Sequence, residues 1–174
     1  MQRKTVLYIA ASLDGYIATK EDGLEWLFTT KGEGDNGYAE FYDTIDTIIL
    51  GRRTYDWILD KEGENFPYQN KQCYVFSNSL HGRDNNVKFV NGNIAGLITA
   101  LKKQEGKNIW IVGGGELLHD FIEQRLVDEW IITIAPTVLG DGIPLFKNTG
   151  FETRLVLKDI RRSNQFVELH YETA

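Results

Sequence analysis

Three short stretches carry residues that suit an anion. In "IWIVGGGELLHDFI", Gly113, Gly114 and Gly115 stand between an apolar strand-like run and an amphipathic helical one. Each glycine costs about 0.5–1 kcal/mol against alanine in regular structure. Three together imply torsions that other residues refuse, or a group that approaches the backbone closely. At a helix start the free N–H groups and the positive dipole end point the same way, and glycine leaves room for a phosphate. The second stretch, "TIILGRRTYD", puts Gly51 at a strand end and Arg52, Arg53 and Thr54 at a helix start. Cations there oppose the dipole by about 0.3–1 kcal/mol each. An anionic ligand reverses that sign; two solvated arginines on a surface turn are the alternative. In the third, "VFSNS", Ser77, Asn78 and Ser79 offer hydroxyl and amide donors suited to phosphate or ribose, and are equally turn formers. Together these strand ends point to a ligand with more than one phosphate.

Other chemistries find less support. The glycine spacing is neither the G-x-G-x-x-G dinucleotide fingerprint nor a Walker loop. His81, His119 and His170 are far apart in sequence and imply no metal, and His119 reads as a surface side chain. The single cysteine, Cys73, lies in the strand-like "QCYVFS" and reads as a buried, inert thiol. A net charge of -6 argues against a nucleic-acid surface, and the four tryptophans form no stacking stripe with basic neighbours. No apolar run nears the roughly 18 residues of a membrane span. "MQRKTVLYIAAS" reads as a first strand, not a signal peptide, so a cytoplasmic protein is expected.

These residues need strands and helices to position them. With 174 residues the chain suits one domain, 1–174. "TVLYIAAS" reads as a strand buried on both faces, after which "SLDG" bends the chain. A loop follows from Lys20 to Gly37, with Trp26 and Phe28 embedded in it. Tyr38 to Asp46 has helical spacing, with Phe41 and Ile45 four apart. "TIDTIILG" is a second buried strand, "RRTYDWIL" a short helix, and Asp60 to Lys71 a loop. "QCYVFSNS" and "NVKFV" are strands. "NIAGLITALKKQ" is a helix with Asn91 or Asn93 as cap. "NIWIVGGG" is a strand, "ELLHDFIEQ" a helix and "DEWIITIAPTVLG" a long strand. "RLVLKDIRR" and "QFVELHYET" form a hairpin around "SN". Strands and helices alternate, then strands alone follow. That order predicts an α/β fold: a mostly parallel sheet with helices on both faces and an antiparallel carboxy-terminal edge.

Taken in order, "AASLDGYIA", "ILGRRTYD", "VFSNS", "IWIVGGGELLHDFI" and "DEWIITIAPTVLGDGIPLF" resemble the dihydrofolate-reductase-like superfamily. The chain looks most like the carboxy-terminal reductase domain of the riboflavin biosynthesis protein RibD and its stand-alone relatives. The resemblance implies a dihydrofolate-reductase-like domain around a sheet of about eight strands, with NADPH as hydride donor. It implies cofactor contacts at Gly51, Arg52 and Thr54, at Ser77 and Asn78 near the adenosine 2′-phosphate, and at Gly114, Gly115, Glu116 and Leu117 around the pyrophosphate. Ala10 and Ile17 match backbone positions near the nicotinamide. Trp26 matches the substrate-side loop, where Lys31 stands in place of the carboxylate of dihydrofolate reductases. Asp35, Glu40 and Asp14 are the candidate catalytic acids; Asp14 equally suits a turn cap. Lys20, Lys31 and Arg52 are candidates for a substrate phosphate. "LGDGIPLF" resembles a loop that borders the substrate and the dimer contact; Asp141 itself reads as part of a β-turn.

The function expected is an NADPH-dependent reductase of a small heterocycle, pterin-like or a riboflavin-pathway aminopyrimidine. A homodimer is expected, with no nucleic-acid or membrane partner. The rivals are a nucleotide-binding module of the same fold without catalysis, and a phosphosugar or nucleotide transferase using the same anion sites.

Overall fold

A computed structural model describes residues 2–174. Its centre is β1 (Thr5–Ser12), a run of apolar and β-branched residues that pairs in parallel with β6 (Asn108–Gly113) on one side and β7 (Glu129–Ala135) on the other. Beyond β6 lie β3 (Ile45–Gly51), β4 (Gln72–Phe76) and β5 (Lys88–Val90), all parallel. Beyond β7 lie β10 (Phe166–Thr173) and then β9 (Leu155–Ser163), each antiparallel to its neighbour. The eight-stranded order is β5-β4-β3-β6-β1-β7-β10-β9. A separate ribbon pairs β2 (Tyr16–Ala18) with β8 (Ile143–Pro144). The antiparallel edge follows from the tight turn at Asn164 and Gln165, one residue beyond the expected "SN", where Asn164 takes a positive φ of 53°.

Helices cover both faces of the parallel part. Tyr55 and Ile58 of α3 (Arg52–Glu62) pack with Ile48, Leu50, Val75 and Trp110. On the opposite face, α4 (Ile94–Lys102) and α5 (Gly115–Glu123) bury Ile98, Leu101, Leu118 and Phe121 against Leu7, Ile49, Ile109 and Ile111. The alternation along β6 explains both layers: Ile109 and Ile111 enter one core, Trp110 the other. Asn93 caps α4 by accepting the Gly96 N–H at 2.8 Å. Cys73 is buried, and burial pushes its thiol up to about 12, which fits the inert reading.

Several boundaries differ from the sequence expectations. The segment from Lys20 to Gly37 holds a single turn of helix, α1 (Glu25–Phe28). The helical spacing from Tyr38 yields only α2 (Tyr38–Tyr42); Ile45 opens β3 instead, because it is paired in the sheet and fully buried there. Helix α3 continues to Glu62, and β7 stops at Ala135, since Pro136 has no N–H for a ladder. His119, expected at the surface, is only 23% exposed, with its Nδ1 buried. Among the described residues no helix is long and apolar enough to cross a membrane, and no metal-holding cluster of His, Cys, Asp and Glu occurs.

Candidate functional site

Tyr8, Ile9 and Ala10 are partly exposed although β1 is the centre of the sheet. A cavity of about 560 Å³ explains the gap at Ile9 and Ala10, which line it. It opens where β1, β3 and β6 end and α3 and α5 begin, with Ile17, Ala18, Ile143 and Pro144 of the β2–β8 ribbon as another wall. A crevice at the carboxyl ends of parallel strands is the ordinary ligand position in such sheets. Its volume lies within the usual range for small-molecule sites, about 300–1,000 Å³.

The glycines hold the starts of α3 and α5 against each other. A Cβ on Gly51 would lie 3.3 Å from the Gly114 nitrogen and 3.6 Å from the Gly113 oxygen. A Cβ on Gly114 would lie 3.0 Å from Thr54 Oγ1. Gly113 has φ 114°, and the Gly113–Gly114 peptide is cis. Gly51 and Gly114 are the N-caps of α3 and α5, and neither helix start receives a side-chain cap. Two sets of helical N–H groups therefore face the cavity without side-chain partners from a cap, and their dipoles favour an anion there.

The cations at this mouth are paired. Arg52 bonds Asp56 at 2.8 Å, Arg53 bonds Asp22 at 2.8 Å, and Lys147 bonds Glu116 at 3.0 Å. The Lys147 ammonium holds the Glu116 carboxyl below its usual range. These pairs are solvent-exposed and worth about 0–1 kcal/mol each. Phosphate oxygens, which accept two parallel bonds from a guanidinium, can replace the carboxylates. The mouth is thus a set of exchangeable ion pairs, not the uniformly electropositive surface expected from Arg52 and Arg53 alone.

Ala10, Ile17, Gly51, Arg52, Thr54, Gly114, Gly115, Glu116 and Leu117 all line this one cavity. Ser77 and Asn78 do not. Ser77 is buried, and its hydroxyl accepts the N–H groups of Ser79 and Leu80 at 3.3 and 3.0 Å, a turn-forming arrangement. The three candidate acids also lie outside the cavity lining. Asp14 accepts from the Ser12 hydroxyl and from the N–H groups of Leu139 and Gly140, and these bonds hold its carboxyl below the usual range. Asp35 caps α2 through the N–H groups of Ala39 and Gly37, with the same effect. A carboxyl held ionised in this way is a poor proton donor at neutral pH. Glu40 pairs with Arg161 at 3.2 Å. Trp26 donates to the Gly23 carbonyl at 3.2 Å, while its neighbours Leu24 and Leu27 reach the cavity. Lys31 is exposed, and Lys20 pairs with Asp141.

Trp57 and Val112 are wall residues that sequence reasoning missed. Trp57 had a signal: it stands one helical turn after Thr54, on the same face of α3. Ile143 and Pro144 belong to "LGDGIPLF", the segment that the resemblance sets beside the substrate, and pairing with β2 brings them to the wall.

With this geometry in place, four similarities bear on it. The sequence model of the family described as RibD C-terminal domain matches residues 3–168. The protein YwjB of Bacillus subtilis (strain 168) is 50% identical over 175 residues, covering 100% of both chains. A crystal structure of a Shewanella sp. PV-4 protein named for riboflavin biosynthesis has a TM-score of 0.89 at 28% identity, covering 98% of this chain and 99% of that one. Dihydrofolate reductase from Enterococcus faecalis complexed with NADP(H) shares the fold, with a TM-score of 0.65 at 16% identity and coverage of 99% and 98%.

Proposed function

The chain belongs to the RibD C-terminal domain family, and from that premise we propose that its cavity binds NADPH and that the protein reduces a small nitrogen heterocycle, pterin-like or a riboflavin-pathway aminopyrimidine. One observation carries the reading: two glycine starts, α3 and α5, abut with their N–H groups uncapped by side chains, beside a cavity of about 560 Å³. A Cβ at Gly51 or Gly114 would crowd this cradle, so its residue types suit a phosphate-bearing coenzyme. The NADP(H) complex of the E. faecalis enzyme, which has the same fold, supports the choice of coenzyme.

When bound, NADPH supplies the hydride. The chain's part is to bind, orient and keep water out. The helix starts, with Arg52, Arg53 and Thr54, would hold phosphates. Ala10 and Ile17 would flank the nicotinamide, and Leu24, Leu27 and Trp57 would exclude water beside it. Gly115, Glu116 and Leu117 would continue the cradle along α5, and Ser77 and Asn78 are proposed for the 2′-phosphate at the next strand end. Cytoplasmic residence belongs to the same reading. A homodimer is proposed as well, on the uncovered apolar face of β9 and β10.

A second reading, a nucleotide-binding module without turnover, is favoured by one fact: Asp14, Asp35 and Glu40 all stand outside the cavity lining. NADPH consumption with a panel of pterins and aminopyrimidines separates the two. The reductase reading expects substrate-dependent NADPH loss with at least one of them. Tight NADPH binding with no turnover on any member assigns the module.

A further inference from the structure

A second cavity, of about 180 Å³, lies at the other end of the sheet, where β4 and β5 begin. Lys71, Tyr74, Arg83 and Lys88 line it, with Asp84 and Asn86 from the turn between the last two. Three cations thus gather here in a chain of net charge -6. The cavity is smaller than ordinary small-molecule sites, about 300–1,000 Å³, so it suits one compact group and not a nucleotide.

The backbone forces two of these cations together. The Phe89 N–H donates to the Gly82 carbonyl at 2.8 Å and the Asp84 N–H to the Val87 carbonyl at 3.0 Å, so residues 82–89 form a tight hairpin. Between these two bonds Arg83 and Lys88 stand directly opposite in an antiparallel bridge. This is a non-hydrogen-bonded pair, in which Cα atoms approach to about 4.5 Å and side chains lie closest. Lys88 also pairs with Tyr74 on β4. Paired residues share a face, so guanidinium, ammonium and phenol form one row. Like charges directly opposite are destabilising. Arg83 and Lys88 are exposed, and neither has an ion pair or a side-chain hydrogen bond among the described residues.

The hairpin's own carboxylate does not relieve the repulsion. Asp84 accepts the Tyr55 hydroxyl from α3 and the N–H groups of Asn86 and Val87, both at 2.8 Å. Against the cost of burial, these bonds hold its carboxyl below the usual range. Asp84 therefore anchors the hairpin to α3 without neutralising it. Burial pushes the Tyr74 phenol above its usual range, so it stays protonated and able to donate. Lys71 adds mainly its field, because its ammonium already donates to the Tyr42 and Ile45 carbonyls at 3.1 and 2.8 Å.

We propose that Arg83, Lys88 and Tyr74 form a second anion site, separate from the coenzyme cavity, that takes one phosphate group, as inorganic phosphate or as a phosphomonoester. A guanidinium fork, an ammonium and a phenol in one row match the several oxygens of a tetrahedral oxyanion. Its charge turns the repulsion between the two cations into attraction. A carboxylate, with only two oxygens and a single charge, is the weaker ligand. The site stands on this geometry alone and does not rest on the coenzyme reading.

A nuclear magnetic resonance titration of the full chain in chloride buffer tests it, following backbone N–H signals with inorganic phosphate, methyl phosphate and acetate as probes. Saturable shifts confined to residues 82–89 and the start of β4 are expected with inorganic phosphate, at a dissociation constant of about 1 mM. Arg83→Gln and Lys88→Gln should each weaken this binding about 10- to 100-fold, the range for hydrogen bonds to charged groups. Arg52→Ala should leave it intact. Equal binding of methyl phosphate supports a phosphomonoester occupant, and binding of inorganic phosphate alone supports the free ion. With one repelling cation removed, the ligand-free variants should melt no lower than the wild type. Phosphate shifts only at the starts of α3 and α5, shifts at 82–89 that survive both substitutions, equal affinity for acetate, or no saturable shift overturns the proposal. If NADPH fails to bind while phosphate still moves residues 82–89, the coenzyme reading falls and this site stands.

Discussion

Arg52 and Arg53 stood out in the sequence because two cations at a helix start are unfavourable. The structure gives each a carboxylate, Asp56 four residues along the helix and Asp22 from a distant loop. Asp56 was within reach of spacing arguments; Asp22 was not, since only the fold brings it to α3. The pairing sharpens what removal should do. Arg52→Ala is expected to weaken NADPH binding by about 1–3 kcal/mol, the range for hydrogen bonds to charged groups. Folding stability should move by no more than about 0.5 kcal/mol, because an exposed i,i+4 pair contributes little. Coenzyme fluorescence titration and a melting curve measure the two effects. Unchanged affinity with a clearly lower melting temperature would give Arg52 a structural role.

At the scale of elements, the site is two helix starts fused at Gly51 and Gly114. The two starts themselves were legible, because glycine is costly in regular structure and both runs followed apolar strands. The mutual contact was not, because it depends on β3 and β6 being neighbours although α3, β4, β5 and α4 separate them in the chain. Gly51→Ala tests the contact. Its Cβ would meet backbone at 3.3 Å, which cannot rotate away as a side chain can. The expected cost is about 1–3 kcal/mol of stability, as for other overpacked sites, with a loss of NADPH affinity larger than for an alanine placed elsewhere on α3. Denaturant unfolding with a parallel coenzyme titration measures both, and no change in either would mean that the two starts need not touch. Local pattern failed where tertiary pairing overrode it. Phe41 and Ile45 are spaced for a helix, yet Ile45 is taken by the sheet.

Across the whole molecule, the helices leave the β9–β10 end of one sheet face bare. Leu157, Ile160 and Val167 are 49%, 58% and 40% exposed on the face that continues from the α4–α5 core. By register, Asp159, Arg161, Glu168 and His170 of the same strands lie on the opposite face. A two-stranded apolar strip without a cover suits a second copy of the chain. Sedimentation is expected to give a dimer, and Ile160→Glu a monomer that still binds NADPH. A wild-type monomer at high concentration would contradict the dimer without touching the coenzyme site. The mostly parallel sheet, the layers and the antiparallel edge were readable from the alternation of strand and helix patterns; the strand order was not. The oligomer was not, because an alternating edge strand reads the same whether water or another protein covers it.

The proposed coenzyme and reductase activity depend on whether the fused glycine starts receive a phosphorylated dinucleotide, and a direct titration of the full chain with NADPH, with NADH as comparison, measures that. Saturable NADPH binding with a dissociation constant well below about 1 mM, and far weaker binding of NADH, is the expected result. Failure of both dinucleotides to bind below that concentration would contradict the account.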